Sequence, residues 1–125
     1  MLLSTDTDIE RDVLEVPITI PLMSTDPHFL IGFDSPNDNV LKYCYIKDEI
    51  TVRFFTYLVT NSSGHKTNIA QVYVPGYRTI VCQTFGHLVR AVNCAVDTKK
   101  LGYREEGLRR PVSKEIAELI KKYNL

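Results

Sequence analysis

At 125 residues with 44% hydrophobic side chains, the chain is long enough for one domain, residues 1–125, with a single core and no need of metal or disulfide staples. Charged residues make up 24%, and Gly and Pro contribute six each, which excludes the disordered and fibrous classes. Net charge is zero but the signs are sorted: residues 1–62 hold ten acids and four bases, a net −6, and residues 63–125 hold five acids and eleven bases, a net +6. Such a split predicts either an anionic partner for the basic end or two halves that face each other, within a monomer or across a homo-dimer or higher oligomer.

Residues 1–11 alternate small polar and acidic side chains with little to bury, and read as a flexible acidic arm. The start Met1-Leu2-Leu3-Ser4-Thr5-Asp6 has neither the basic residues nor the apolar run of a signal peptide. No apolar stretch approaches the roughly eighteen residues of a membrane span. The expectation is an intracellular protein, in cytoplasm, nucleus or a virion interior, with no membrane partner. Asn61-Ser62-Ser63 matches the glycosylation sequon, which without an export signal is a loop coincidence.

Residues 12–83 read as mainly β. The run Val13 to Leu22 is strand-like, but Pro17 and Pro21 remove two ladder donors, which places it on a sheet edge or in an extended arm. Phe29 to Phe33 is a short strand ended by the turn residues Asp34 to Asn39. Val40–Ile46 and Ile50–Val59 form a hairpin around Lys47-Asp48-Glu49. A polar loop from Asn61 to Lys66 leads to a strand at Ile69–Val74, and Pro75-Gly76 turns the chain into another at Thr79–Gln83.

Residues 84–125 read as mainly α. Phe85, Leu88, Val89, Val92 and Val96 recur at helical spacing, with Thr84 as N-cap and Gly102 past the end, giving a helix over about 85–100. A second helix follows Pro111, capped by Ser113, with Ile116, Leu119, Ile120 and Tyr123 on one face and Lys121 and Lys122 in its last turn. The fold class is α+β: an antiparallel meander sheet of about five or six strands with two C-terminal helices packed on one face.

With a two-residue turn at Lys47-Asp48, Tyr45 faces Ile50, Tyr43 faces Val52 and Leu41 faces Phe54, which makes one face apolar. The other carries Lys42 opposite Arg53 and Cys44 opposite Thr51, with Phe55 and Tyr57 further along. Through the polar loop, Tyr57 opposes Ile69, Phe55 opposes Gln71 and Arg53 opposes Tyr73. A directly opposed Lys–Arg pair costs up to about 1 kcal/mol unless an anion relieves it. Bases stack on aromatic rings set among cations at about 1–3 kcal/mol each. Lys42, Arg53, Phe55, Tyr57 and Tyr73 are therefore the candidate nucleic-acid-binding residues. The bases between the helices add Arg104, Arg109 and Arg110 as phosphate contacts, although Glu105-Glu106 interrupt that stretch.

No catalytic site, metal or cofactor is expected. Cys44, Cys82 and Cys94 lie in apolar stretches and read as core thiols, with no Cys-x-x-Cys pair. Asp6-x-Asp8-x-Glu10 has Arg11 where a calcium loop turns on glycine. Gly64-His65-Lys66-Thr67 lacks the upstream glycine of a phosphate-binding loop, and Asp97-Thr98-Lys99 falls at a helix end where Lys99 complements the dipole. The sequence thus favours a small non-enzymatic nucleic-acid-binding or regulatory protein, with single-stranded nucleic acid as the expected partner. The rival is a protein–protein interaction module or self-assembling subunit that docks residues 6–22 on the basic C-terminal surface of a neighbour.

Overall fold

The structure is a computed structural model that describes residues 17–18, 27–31, 40–104 and 112–125. The acidic arm at 1–11, the turn at 34–39, Glu105, Glu106, Arg109 and Arg110 lie outside the described residues. What is described is an α+β chain. Strands β1 (Phe29–Ile31), β2 (Val40–Lys47), β3 (Ile50–Thr60), β4 (Lys66–Val74) and β5 (Arg78–Cys82) are followed by helices α1 (Phe85–Lys100) and α2 (Lys114–Lys122). The strands pair antiparallel, each with its chain neighbour, so spatial order equals sequence order. Among the described residues no helix is long and apolar enough to cross a membrane.

The β2–β3 turn corrects the expected register. Its central residues are Asp48 and Glu49, with φ of 52° and 66°, the left-handed pair that a type I′ hairpin requires. Lys47 therefore pairs with Ile50, Tyr45 with Val52, Tyr43 with Phe54 and Leu41 with Thr56. A turn centred on Lys47-Asp48 would have matched Tyr45 to Ile50. The shift is two residues, and because side chains alternate with a period of two, every residue stays on its expected face while its partner changes.

The β3–β4 loop is held by Asn61. Its Oδ1 accepts from the backbone N–H groups of Ser63 and His65 at 2.9 and 3.0 Å, and Gly64 takes φ +80°. Tyr57 then pairs with Ile69 and Phe55 with Gln71, as the sequence predicts. Between β4 and β5, Gly76 takes φ +79° and has no room for a side chain, since a Cβ there would lie 2.8 Å from Cδ1 of Tyr103 and 3.1 Å from Ile116.

Helix α1 starts where Thr84 Oγ1 accepts from the His87 N–H at 3.2 Å. It ends in a Schellman closure, Gly102 N–H to Lys99 O at 3.0 Å and Tyr103 N–H to Thr98 O at 3.2 Å, with Gly102 at φ +96°. Helix α2 repeats the scheme with Ser113 as N-cap and Asn124 at φ 56° past its end. Leu88, Ala91, Val92, Ala95 and Val96 of α1 are buried against Val52, Phe54, Val72, Val74 and Ile80. Phe29 stands edge-on to Tyr45 and Phe54, at ring-centroid distances of 4.8 and 5.9 Å. Each such side chain removed from water contributes about 1.5–3 kcal/mol before ordering costs. Helix α2 lies against α1, with the Tyr123 hydroxyl donating to Asp97 Oδ2 and Ile116 fully buried.

Of the proline-bearing segment, Pro17 bridges Thr84 just past β5, Ile18 is buried in this same core, and Asn68 Nδ2 donates to Ile18 O at 3.2 Å. These two residues thus lie beside the sheet of their own chain.

Candidate nucleic-acid interface

Alternation along the strands gives the sheet two unlike faces. Tyr43, Tyr45, Val52, Phe54, Thr56, Ala70 and Val72 point to the back, under α1, and are buried. The residues between them point to the front, which no described element crosses: Phe55 is 40% exposed and Val81 49%. Lys42, Arg53, Gln71 and Thr79 are exposed there as well, and Cys44, Tyr57 and Tyr73 half-buried.

The register fixes which of them are neighbours. Lys42, Phe55, Gln71 and Val81 form one rung across β2 to β5. Arg53 pairs with Cys44, Tyr57 with Ile69, and Tyr73 with Thr79. The expected Lys42–Arg53 opposition is not formed. The two cations instead lie on a diagonal, where side chains are about 7–8 Å apart, so the repulsion predicted for a facing pair is largely relieved without a ligand. Phe55, beside both cations, forms a tilted ring pair with Tyr57 at 6.4 Å and 45°.

Ladder pairing of β3 with β4 stops at Phe54–Val72. Beyond it the strands fork, and the fork opens a cleft of about 390 Å³ walled by Arg53 and Phe55 of β3, Gln71 and Tyr73 of β4 and Thr79 of β5. Thr51 and Lys99 complete the lining. Lys99 comes from the last turn of α1, behind the sheet, and its Nζ donates to the Thr51 carbonyl at 2.8 Å. Sequence reasoning placed Lys99 at the helix dipole and missed this contact, because residues 48 positions apart carry no local signal of meeting. Thr51 and Thr79 were within reach, since both share the front-face alternation with Arg53 and Tyr73.

The remaining bases are placed differently. Arg104 is exposed just after Tyr103, whose ring abuts the Gly76 turn and whose hydroxyl donates to Ser113 Oγ at 2.7 Å. It is not among the residues that line the cleft. Arg109 and Arg110 lie outside the described residues.

The three thiols divide. Cys82 and Cys94 are in the core, where burial pushes their pKa values up to about 12 and about 11, with Asp97 adding to the rise at Cys94. Both are poor nucleophiles in this state. Cys44 departs from the core-thiol expectation: it is half-buried on the front face, opposite Arg53. No family model matches the chain, and no curated protein and no solved structure is significantly similar to it.

Proposed function

We propose that this chain is a small non-enzymatic nucleic-acid-binding or regulatory protein that holds single-stranded nucleic acid across the open front of its sheet. The observation that carries this reading is the gathering of Lys42, Arg53, Phe55, Tyr57 and Tyr73 on one face that no described helix covers. Bases stack on Phe55 and Tyr57 in a sequence-tolerant way, and Lys42 and Arg53 flank the rings to receive phosphates. Arg104, Arg109 and Arg110 extend the phosphate track. The reading takes the complete sheet to have five or six strands with both C-terminal helices on its back, and it takes the protein to act inside the cell, alone or as a homo-oligomer.

The test is a titration with single-stranded DNA and RNA at two salt concentrations. Binding that weakens with salt and is lost in the Arg53→Ala, Phe55→Ala double variant supports the proposal. Absence of affinity at low salt, or affinity untouched by the double variant, overturns it.

A further inference from the structure

The cleft at the β3–β4 fork differs from the face around it, because a cation from behind the sheet joins its lining. Its other lining residues belong to the strands, and Lys99 is delivered from the helix behind.

The chemistry of the lining points to the kind of ligand. Two cations, Arg53 and Lys99, meet there with two hydroxyls, Thr51 and Thr79, and the Gln71 amide, and among the described residues no acid lines the cleft. The Lys99 ammonium has three donors, and its hydrogen bond among the described residues goes to a backbone carbonyl that carries no full charge. The carboxylate in the β2–β3 turn, Asp48, is engaged by Lys100. The Lys99 and Thr98 carbonyls at the end of α1 accept from Gly102 and Tyr103. A volume of about 390 Å³ is at the small end of ligand pockets, which run from about 300 Å³ upwards.

Resting on the sheet-face reading, we propose that this cleft binds the terminal phosphate monoester of a nucleic-acid strand, with Lys99 and Arg53 on the phosphate and Phe55 under the adjoining base. A terminal phosphate carries about −1.5 to −2 at neutral pH, against −1 for an internal diester, and so matches two cations better than any other part of the strand.

The experiment compares short single-stranded oligonucleotides that end in a 5′-phosphate, a 3′-phosphate or hydroxyls only, by fluorescence anisotropy with the dye at the other end. One phosphorylated form is expected to bind about tenfold tighter than the hydroxyl-ended strand, the gain of one or two charge-assisted contacts. Lys99→Met should erase that preference, and Lys99→Arg should restore part of it. Should Lys99→Met fail to fold by circular dichroism, Thr79→Glu replaces it, since it sets a carboxylate in the cleft from an exposed position and should erase the same preference. Equal affinity for all three strands overturns the inference and leaves the sheet-face reading standing. No binding of any strand, with Lys99-dependent binding of adenosine monophosphate, removes the sheet-face reading and keeps a phosphate-monoester cleft. Failure of both probes removes both.

Discussion

Phe54 and Phe55 are adjacent in sequence and opposite in circumstance. The first is 1% exposed, stacked on Tyr43 at 5.5 Å on the back of the sheet, and the second is 40% exposed on the front beside Tyr57. Composition cannot separate the two faces, since both are rich in aromatic rings. The separation comes from what lies opposite: α1 supplies Leu88, Ala91 and Val92 to the back, whereas Phe55 and Val81 on the front stay exposed and α1 reaches that side only through Lys99 at the cleft. Rings that pack contribute stability, whereas rings that face water are available to a ligand.

The sharpest way to break this comparison is to truncate both rings. Phe54→Ala is expected to lower unfolding free energy by about 3–5 kcal/mol in denaturant titrations, through lost burial and the cavity left behind. Phe55→Ala should change stability by no more than about 0.5 kcal/mol, as surface substitutions do. Equal losses from the two variants would mean that the front is covered.

The next effect is on the back face alone. The Cys82 pKa rises from 9.0 to about 12, so the native state holds this proton more tightly than the unfolded chain. Its contribution to stability is complete below about pH 9 and is lost as pH rises through about 12. Denaturation midpoints should therefore fall over that range, and Cys82→Ala should flatten the fall. An unchanged slope in the variant would refute the assignment.

On the front face, Phe55→Ala should weaken single-stranded oligonucleotide binding by about 1–3 kcal/mol, the loss of one stacking platform. Arg53→Ala should reduce the slope of log affinity against log salt by about one, as the loss of one phosphate contact does. The smallest effect concerns the thiols. In the native protein Cys44 should react first with a disulfide reagent at pH 8, with Cys82 and Cys94 reacting only on unfolding, and a bound oligonucleotide should slow Cys44 several-fold.

Much of this was readable in the sequence. The antiparallel α+β class followed from periods of two giving way to periods of three and four at Thr84, and both N-caps stood in the expected places. Face membership survived the misplaced β2–β3 turn because the displacement was even. The displacement itself had no sequence warning: type I′ turns normally announce themselves with Asn or Gly, and here Asp48 and Glu49 take left-handed φ without either. The cleft was hidden for a different reason. A fork between strands depends on where ladder pairing stops, which the Phe54–Val72 register fixes, and the reach of Lys99 to Thr51 is a tertiary fact.

Because each strand pairs with the one made just before it, the sheet is assembled from contacts close in sequence, the arrangement associated with rapid folding. Two of the bonds that fasten α1 to it, Tyr45 to Asn93 and Lys99 to Thr51, each span 48 residues. A chain emerging from its N-terminus can thus complete its strands while Val52, Phe54 and Val72 are still bare, an interval in which a chaperone or a second nascent chain would compete with α1 for the same surface. The front has no such interval. Its strand side chains end in water in the folded state as in the growing chain, so of the outward surface only the Lys99 side of the cleft waits for α1.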